Sequence, residues 1–211
     1  MNPRILKHLV DQMLAAHALT LRDIANGEEP FLYSSGNRGP GYVLVKGLVS
    51  QKPLLETLVY NLAVNVLEEF PEVEYVSGNA TGGMVPAWIL AEALTKLSGR
   101  HVPYLYVRET RKQGGHGEQI TGDKNNDFFE PGRRGIVMEE LVNYAETTAN
   151  SALIQRKAGY DVRHGATILY YDHAKAKALL DQTGVKLISL FTLEQLLDIA
   201  EESGIGKHLV D

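Results

Sequence analysis

Beyond residue 54 the chain alternates short apolar segments of strand length with segments of helical spacing, and this alternation is the strongest constraint on its fold. Helical patterns cover residues 54–70, stopped by Pro71, then 88–96, a stretch running to Lys157 with Gly159 as its cap, 174–182 and 193–202. Strand candidates lie between them at 75–78, 102–107, 136–138, 166–171 and 185–190. Strands and helices in turn require crossover connections, so the strands pair in parallel and ligands collect at their carboxyl ends. The expected fold class is therefore α/β, with a central, mostly parallel sheet flanked by helices. Upstream, Ile5, Leu6, Leu9, Val10, Met13 and Leu14 fall on one helical face, with Lys7 and Asp11 on the wet side. A Gly/Pro-rich loop at 34–41 and an extended segment at 42–49 follow.

A chain of 211 residues suits one domain with a sizeable core. No segment approaches the roughly 18 apolar residues of a membrane span. Lys7, His8 and Asp11 interrupt the N-terminal apolar run where a signal peptide would need it unbroken. A cytoplasmic location and no membrane partner are expected. The sequence has no cysteine, which excludes disulfides, thiolate metal sites and cysteine nucleophiles. A net charge of −5 argues against a broad nucleic-acid surface, so an anionic substrate would need a local cationic cluster.

Three segments carry chemistry. Gly78-Asn79-Ala80-Thr81-Gly82-Gly83-Met84 lies between a strand and a helix; its glycines let backbone amides approach a phosphate, and Thr81 adds a hydroxyl. The plain alternative is an ordinary strand-to-helix turn. Arg108 to Gly117 gathers Arg108, Arg111, Lys112 and His116 beside three glycines, a composition suited to a lid that brings positive charge onto a substrate and excludes water. A solvated surface loop is the alternative there. Residues 136–148 carry an apolar strand into adjacent Glu139 and Glu140, a turn and a helix. Two acids at the end of a buried strand are costly unless they meet solvent, a metal or sugar hydroxyls. One of them capping nearby amides while the other is simply exposed is the structural alternative.

Taken together, these residues resemble the orotate phosphoribosyltransferases, of the type I phosphoribosyltransferase fold, over nearly the whole chain. Glu29-Pro30-Phe31 with Ser35, Gly36, Pro40 and Tyr42 is similar to the family's N-terminal segment that cups the pyrimidine. The run from Gly78 to Met84 is similar to its pyrophosphate-contacting turn, and Tyr106-Val107-Arg108 through Lys112 to Gln119-Ile120-Thr121-Gly122 resembles its catalytic lid. Phe191-Thr192-Leu193 and the closing helix fall where that family has its last elements. The resemblance implies a single phosphoribosyltransferase-like domain over 1–211, with a small N-terminal hood segment at 1–50 and a mobile lid at 108–122.

It further implies transfer of a phosphoribosyl group from phosphoribosyl diphosphate to orotate in pyrimidine nucleotide biosynthesis. Mg²⁺ would be bound through the diphosphate, with no dedicated protein metal site. Arg108 and Lys112 would contact the diphosphate, Lys112 across a homodimer interface. His116 would assist from two residues beyond the family's His-Gly pair. Ser35, Gly36, Tyr42 and Lys46 would serve the base, and Thr81, Gly82 and Gly83 the diphosphate. Glu139 and Glu140 would hold the ribose hydroxyls, with Asn143 and Thr147 at the phosphate loop. Where the family continues into a Thr-Gly-Gly-Ser-type loop, this chain has Asn143-Tyr144-Ala145-Glu146-Thr147. Leu44 replaces a common aspartate, Asn37-Arg38 alters the loop near the base, and Glu109 adds negative charge to the lid. An alanine in a left-handed conformation is strained, and Glu146 brings a carboxylate to the helix N-terminus where a phosphate would bind. Two further readings therefore stay open: a family-derived binding or regulatory protein, and a phosphoribosyltransferase for another base.

Overall fold

The computed structural model describes residues 3–24, 26–32, 38–39, 41–109, 118–124 and 126–202. They fall into two compact units, one formed by residues 1–54 with 193–211 and the other by 55–192.

The first unit contains α1 (Pro3–Ala15), the short strands β1 (Leu19–Leu21), β2 (Phe31–Leu32), β3 (Arg38–Gly39) and β4 (Gly41–Val43), and a 3-10 helix over Val45–Ser50. Leu9, Val10 and Met13 form the buried face of α1, as their spacing requires. β1 pairs antiparallel with β4 and β2 with β3. The extended segment expected at 42–49 is only partly a strand. After Val43 the backbone tightens, Gly47 N–H donating to Leu44 O at 3.0 Å and Gln51 N–H to Leu48 O at 2.8 Å. The turn buries Val45 and Leu48 on one side, a local 3-10 pattern that alternation does not reveal.

The second unit holds α2 from Leu55 onward (Lys52–Glu69 in full), β5 (Tyr75–Asn79), α3 (Met84–Ser98), β6 (Tyr104–Val107), β7 (Ile120–Thr121), β8 (Arg134–Val142), α4 (Glu146–Lys157), β9 (Asp161–Tyr170), α5 (Ala174–Thr183) and β10 (Lys186–Thr192). Its six-stranded sheet has the order β10-β9-β8-β5-β6-β7, all parallel except the β6–β7 pair. The closing helix α6 (Leu193–Glu202) belongs to the first unit, where it contacts α1.

Chain order reverses at β5. From that strand the sheet grows one way through β6 and the other way through β8, β9 and β10. The carboxyl ends of β5 and β8 therefore flank a topological switch point, the position where open α/β sheets bind ligands. Gly78 makes the close packing of α3 possible, because a β-carbon there would lie 2.8 Å from Ala87 Cβ. Tyr75, Phe129 and Tyr160 pack edge to face beneath the sheet.

Two strands run further than expected. β9 starts at Asp161, in register with Arg134 of β8; Asp161 and Arg163 pair at 2.7 Å on its wet side, so these first residues lack the apolar run of the rest. β8 continues past Met138 to Val142, with Glu139 in register with Thr167 and Leu141 with Leu169. The two acids are thus inside the strand, and its pleat directs them to opposite faces of the sheet.

Candidate active site

Glu139 is 8% exposed and accepts a hydrogen bond from Asn79 Nδ2 at 2.5 Å. Burial pushes its carboxyl up to about 8, against the pull of the Asn79 hydrogen bond and with help from the charges of Glu140 and Glu109. At neutral pH it is largely a neutral acid that can both donate and accept. Glu140, on the other face, lies with its carboxylate against the α-carbon of Gly82, in the space a β-carbon would occupy. Gly83 is equally constrained, since a β-carbon would press on Met138 O and would lie 2.9 Å from Asn79 N. Gly83 is required by close approach of the β5–α3 turn to the β8 backbone, whereas at Gly82 the space is taken by the end of the Glu140 side chain. The Ala80–Thr81 peptide in that turn is cis, and Thr81 is exposed to solvent.

On the other side of the switch point the chain turns from β8 into α4. Ala145 is the N-cap, at φ +63° and ψ +10°, with no side-chain hydrogen bond to the helix. This left-handed conformation, which strains a residue with a β-carbon, is here adopted by alanine. Glu146 is exposed in the first turn, Thr147 is half-buried and Thr148 is buried. Asn143 Oδ1 is buried without a hydrogen-bond partner among the described residues, so it can accept from a ligand hydroxyl. The α4 N-terminus and these side chains provide donors and a positive dipole end next to the acids.

Arg108 directly follows β6, where the expected lid segment begins. Its N–H donates to Gln119 O at 2.8 Å, and Gln119 Nε2 donates to Glu109 O at 3.1 Å, closing a neck above the β6–β7 pair. Its guanidinium donates to Tyr106 Oη at 3.1 Å. The neck follows β6, the neighbour of β5, and so stands at the same carboxyl edge of the sheet as the acids. Lys112 and His116 lie outside the described residues, as do Ser35 and Gly36. Tyr42 and Lys46 are exposed in the first unit, where the Tyr42 ring sits 5.4 Å from that of Phe31 and Arg22 lies 3.8 Å over the Phe31 ring.

The second unit therefore brings Thr81, Gly82, Gly83, Glu139, Glu140, Asn143, Thr147 and Arg108 to one sheet edge. Sequence reasoning passed over Asn79, which holds Glu139 in place. Its signal was the amide that closes the buried strand Tyr75-Val76-Ser77-Gly78-Asn79. Among the described residues no group of three His, Asp or Glu side chains forms a cage for a cation. No described helix is long and apolar enough to cross a membrane.

A mostly parallel sheet in this strand order, flanked by helices, is the fold of the type I phosphoribosyltransferases. Two solved structures share it: an orotate phosphoribosyltransferase from Aeropyrum pernix (TM-score 0.70, 26% identity, 93% of this chain and 98% of that one), and an adenine phosphoribosyltransferase (TM-score 0.61, 16% identity, 87% and 99%), which shares the fold alone. No protein-family model matches the chain. An orotate phosphoribosyltransferase of Streptococcus pneumoniae serotype 19F is 30% identical over 193 residues, 90% of this chain and 86% of its own length. The chain belongs to the orotate phosphoribosyltransferase family.

Proposed function

We propose that this protein transfers the 5-phosphoribosyl group from phosphoribosyl diphosphate to orotate, in pyrimidine nucleotide biosynthesis. The observation that carries the reading is the paired placement of Glu139 and Glu140 at the β5–β8 switch point, between a glycine turn and a helix N-terminus. In this reaction the C1′–oxygen bond to diphosphate breaks, its electron pair leaving with the diphosphate, and an orotate ring nitrogen that has lost its proton bonds to C1′. The Thr81-Gly82-Gly83 turn and Arg108 would receive the departing diphosphate, with Lys112 and His116 of the lid neutralising its growing charge. Glu139, Glu140 and Asn143 would bind the ribose hydroxyls, and Thr147 with the first α4 amides would bind the 5′-phosphate. Ser35, Gly36, Tyr42 and Lys46 are the proposed base contacts. Mg²⁺ would arrive on the diphosphate oxygens, the usual way this hard ion is held when protein ligands are few. The working form proposed is a cytoplasmic homodimer in which each lid lysine serves the neighbouring site.

Ala145 and Glu146 favour a second reading, in which the fold is kept for binding or regulation and phosphoribosyl diphosphate is no longer bound. Incubation of the purified protein with orotate, phosphoribosyl diphosphate and Mg²⁺, followed by orotate absorbance, separates the two. Consumption of orotate supports the transferase; its absence at high protein concentration removes that reading.

A further inference from the structure

The face of β5 that meets α4 is polar where an α/β interface is ordinarily apolar. Alternate residues Tyr75, Ser77 and Asn79 point to that face, and α4 meets them with Gln155, Ser151 and Thr147, spaced four apart. Tyr75 Oη donates to Gln155 Oε1 at 2.9 Å. Gln155 Nε2 donates to Ser77 Oγ at 2.9 Å and to Ser151 Oγ at 3.2 Å. Ser77 Oγ in turn donates to Ile136 O of β8 at 3.2 Å. At the upper end Asn79 Nδ2 reaches Thr147 O at 3.5 Å as well as Glu139 Oε1. Tyr75, Ser77 and Gln155 have no solvent exposure at all.

The two spacings match. Two strand residues advance about 6.6 Å and four helical residues about 6 Å, so the links at the lower level, between Gln155 and both Tyr75 and Ser77, keep step with the link at the upper level, from Asn79 to Thr147 O. An apolar contact tolerates sliding or rotation of a helix, because dispersion is not directional. A buried ladder of hydrogen bonds does not, because any slip leaves amide and hydroxyl groups unpaired in a dry interior. The ladder also ends at the helix turn that holds Ala145 and Thr147, and at the acid of β8.

We propose that this ladder sets the axial position of α4, with Gln155 as the positioning residue, and so places the helix N-terminus to receive the 5′-phosphate of the substrate. The phosphate part of this inference rests on the transferase reading given above; the positioning of α4 does not. Gln155 touches no substrate and acts only through Ser77, Ser151 and Tyr75. It offsets the absence of a glycine loop by holding the strained Ala145 turn from below.

The test uses Gln155→Met, which keeps the volume and removes the hydrogen bonds, and Ser151→Ala, which removes a hydrogen bond that orients the Gln155 amide. In Gln155→Met the KM for phosphoribosyl diphosphate and the dissociation constant for ribose 5-phosphate should rise about tenfold, with the KM for orotate changed by less than about twofold. In Ser151→Ala the same split should appear at about threefold, and this variant carries the reading if Gln155→Met does not fold. Equal changes in both substrates, or no change in a folded variant, would overturn the proposal. If the parent protein binds neither phosphate ligand, the transferase reading fails and the ladder is judged by amide hydrogen exchange. Exchange at Ala149 and Ala152 should then be about tenfold faster in Gln155→Met, or about threefold faster in Ser151→Ala, with α3 amides unchanged. Unchanged rates at Ala149 and Ala152 would overturn it.

Discussion

The Glu140 carboxylate occupies the space beside the Gly82 α-carbon, so residue 82 has room for no side chain while Glu140 keeps its place. The backbone of Gly82 has an ordinary negative φ, and it is crowding rather than left-handed geometry that requires glycine.

Gly82→Ala should therefore displace Glu140 or open the turn. The crowding atoms are the end of a flexible side chain, so Glu140 should swing aside at a stability cost of about 1 kcal/mol or less, visible as a slightly lower melting temperature. Affinity for phosphoribosyl diphosphate by calorimetry should fall by about tenfold or more, because turn and acid shift together. A variant with parental stability and affinity would mean that Glu140 is free to leave the turn at no cost.

Glu139 makes stability depend on pH. Its carboxyl is pushed up to about 8 by burial, from an ordinary value of 4.5. Between those values the folded protein keeps a proton that the unfolded chain releases. The stability present below the ordinary value is therefore lost as pH rises toward about 8 and then levels off. Glu139→Gln keeps an oxygen for Asn79 and removes the titration. Its stability relative to the parent should grow between about pH 5 and pH 8.5 by on the order of a few kcal/mol. Denaturant titrations at the two pH values check this; a constant difference would mean that the carboxyl is ionised throughout.

Ala145 at φ +63° carries strain that glycine would not. Ala145→Gly should stabilise the protein by about 0.5–1 kcal/mol, the relief of about 1–2 kcal/mol being offset by the greater freedom of glycine in the unfolded chain. Combined with Glu146→Gly, which removes a negative charge from the anion-binding end of α4, it should tighten phosphoribosyl diphosphate binding by about five- to tenfold in calorimetry. Unchanged affinity would show that this loop does not limit binding.

Lys112→Ala tests the lid. A group that meets diphosphate charge mainly as the bond breaks should lower kcat by about a hundredfold or more while changing KM by only a few fold. A raised KM with kcat unchanged would assign Lys112 to ground-state binding.

Residues 75–78, 136–138 and 166–170 were legible as strands because burial on both faces of a parallel sheet leaves apolar runs, and 193–202 was legible as a helix to the residue. The N-terminal edge of β9 was less so, because Asp161 and Arg163 pair with each other on the solvent side. The 3-10 helix at Val45–Ser50 was not, because a short tight turn with two buried side chains has the composition of a strand.

For the site, the sequence by itself determined the alternation of strand and helix, and hence that the acids, the glycine turn and the lid root would gather at strand carboxyl ends. Those are consequences of local periodicity and chain connectivity. Only the tertiary structure decided that β8 runs on through its acids, so that Glu139 turns to Asn79 and Glu140 to Gly82 on opposite faces. It alone brought Gln155 under Tyr75 and Ser77, about 80 residues away in the chain. Contacts of that kind depend on strand register and helix position, which are fixed by summed packing across the sheet and leave no periodic trace in the residues that make them.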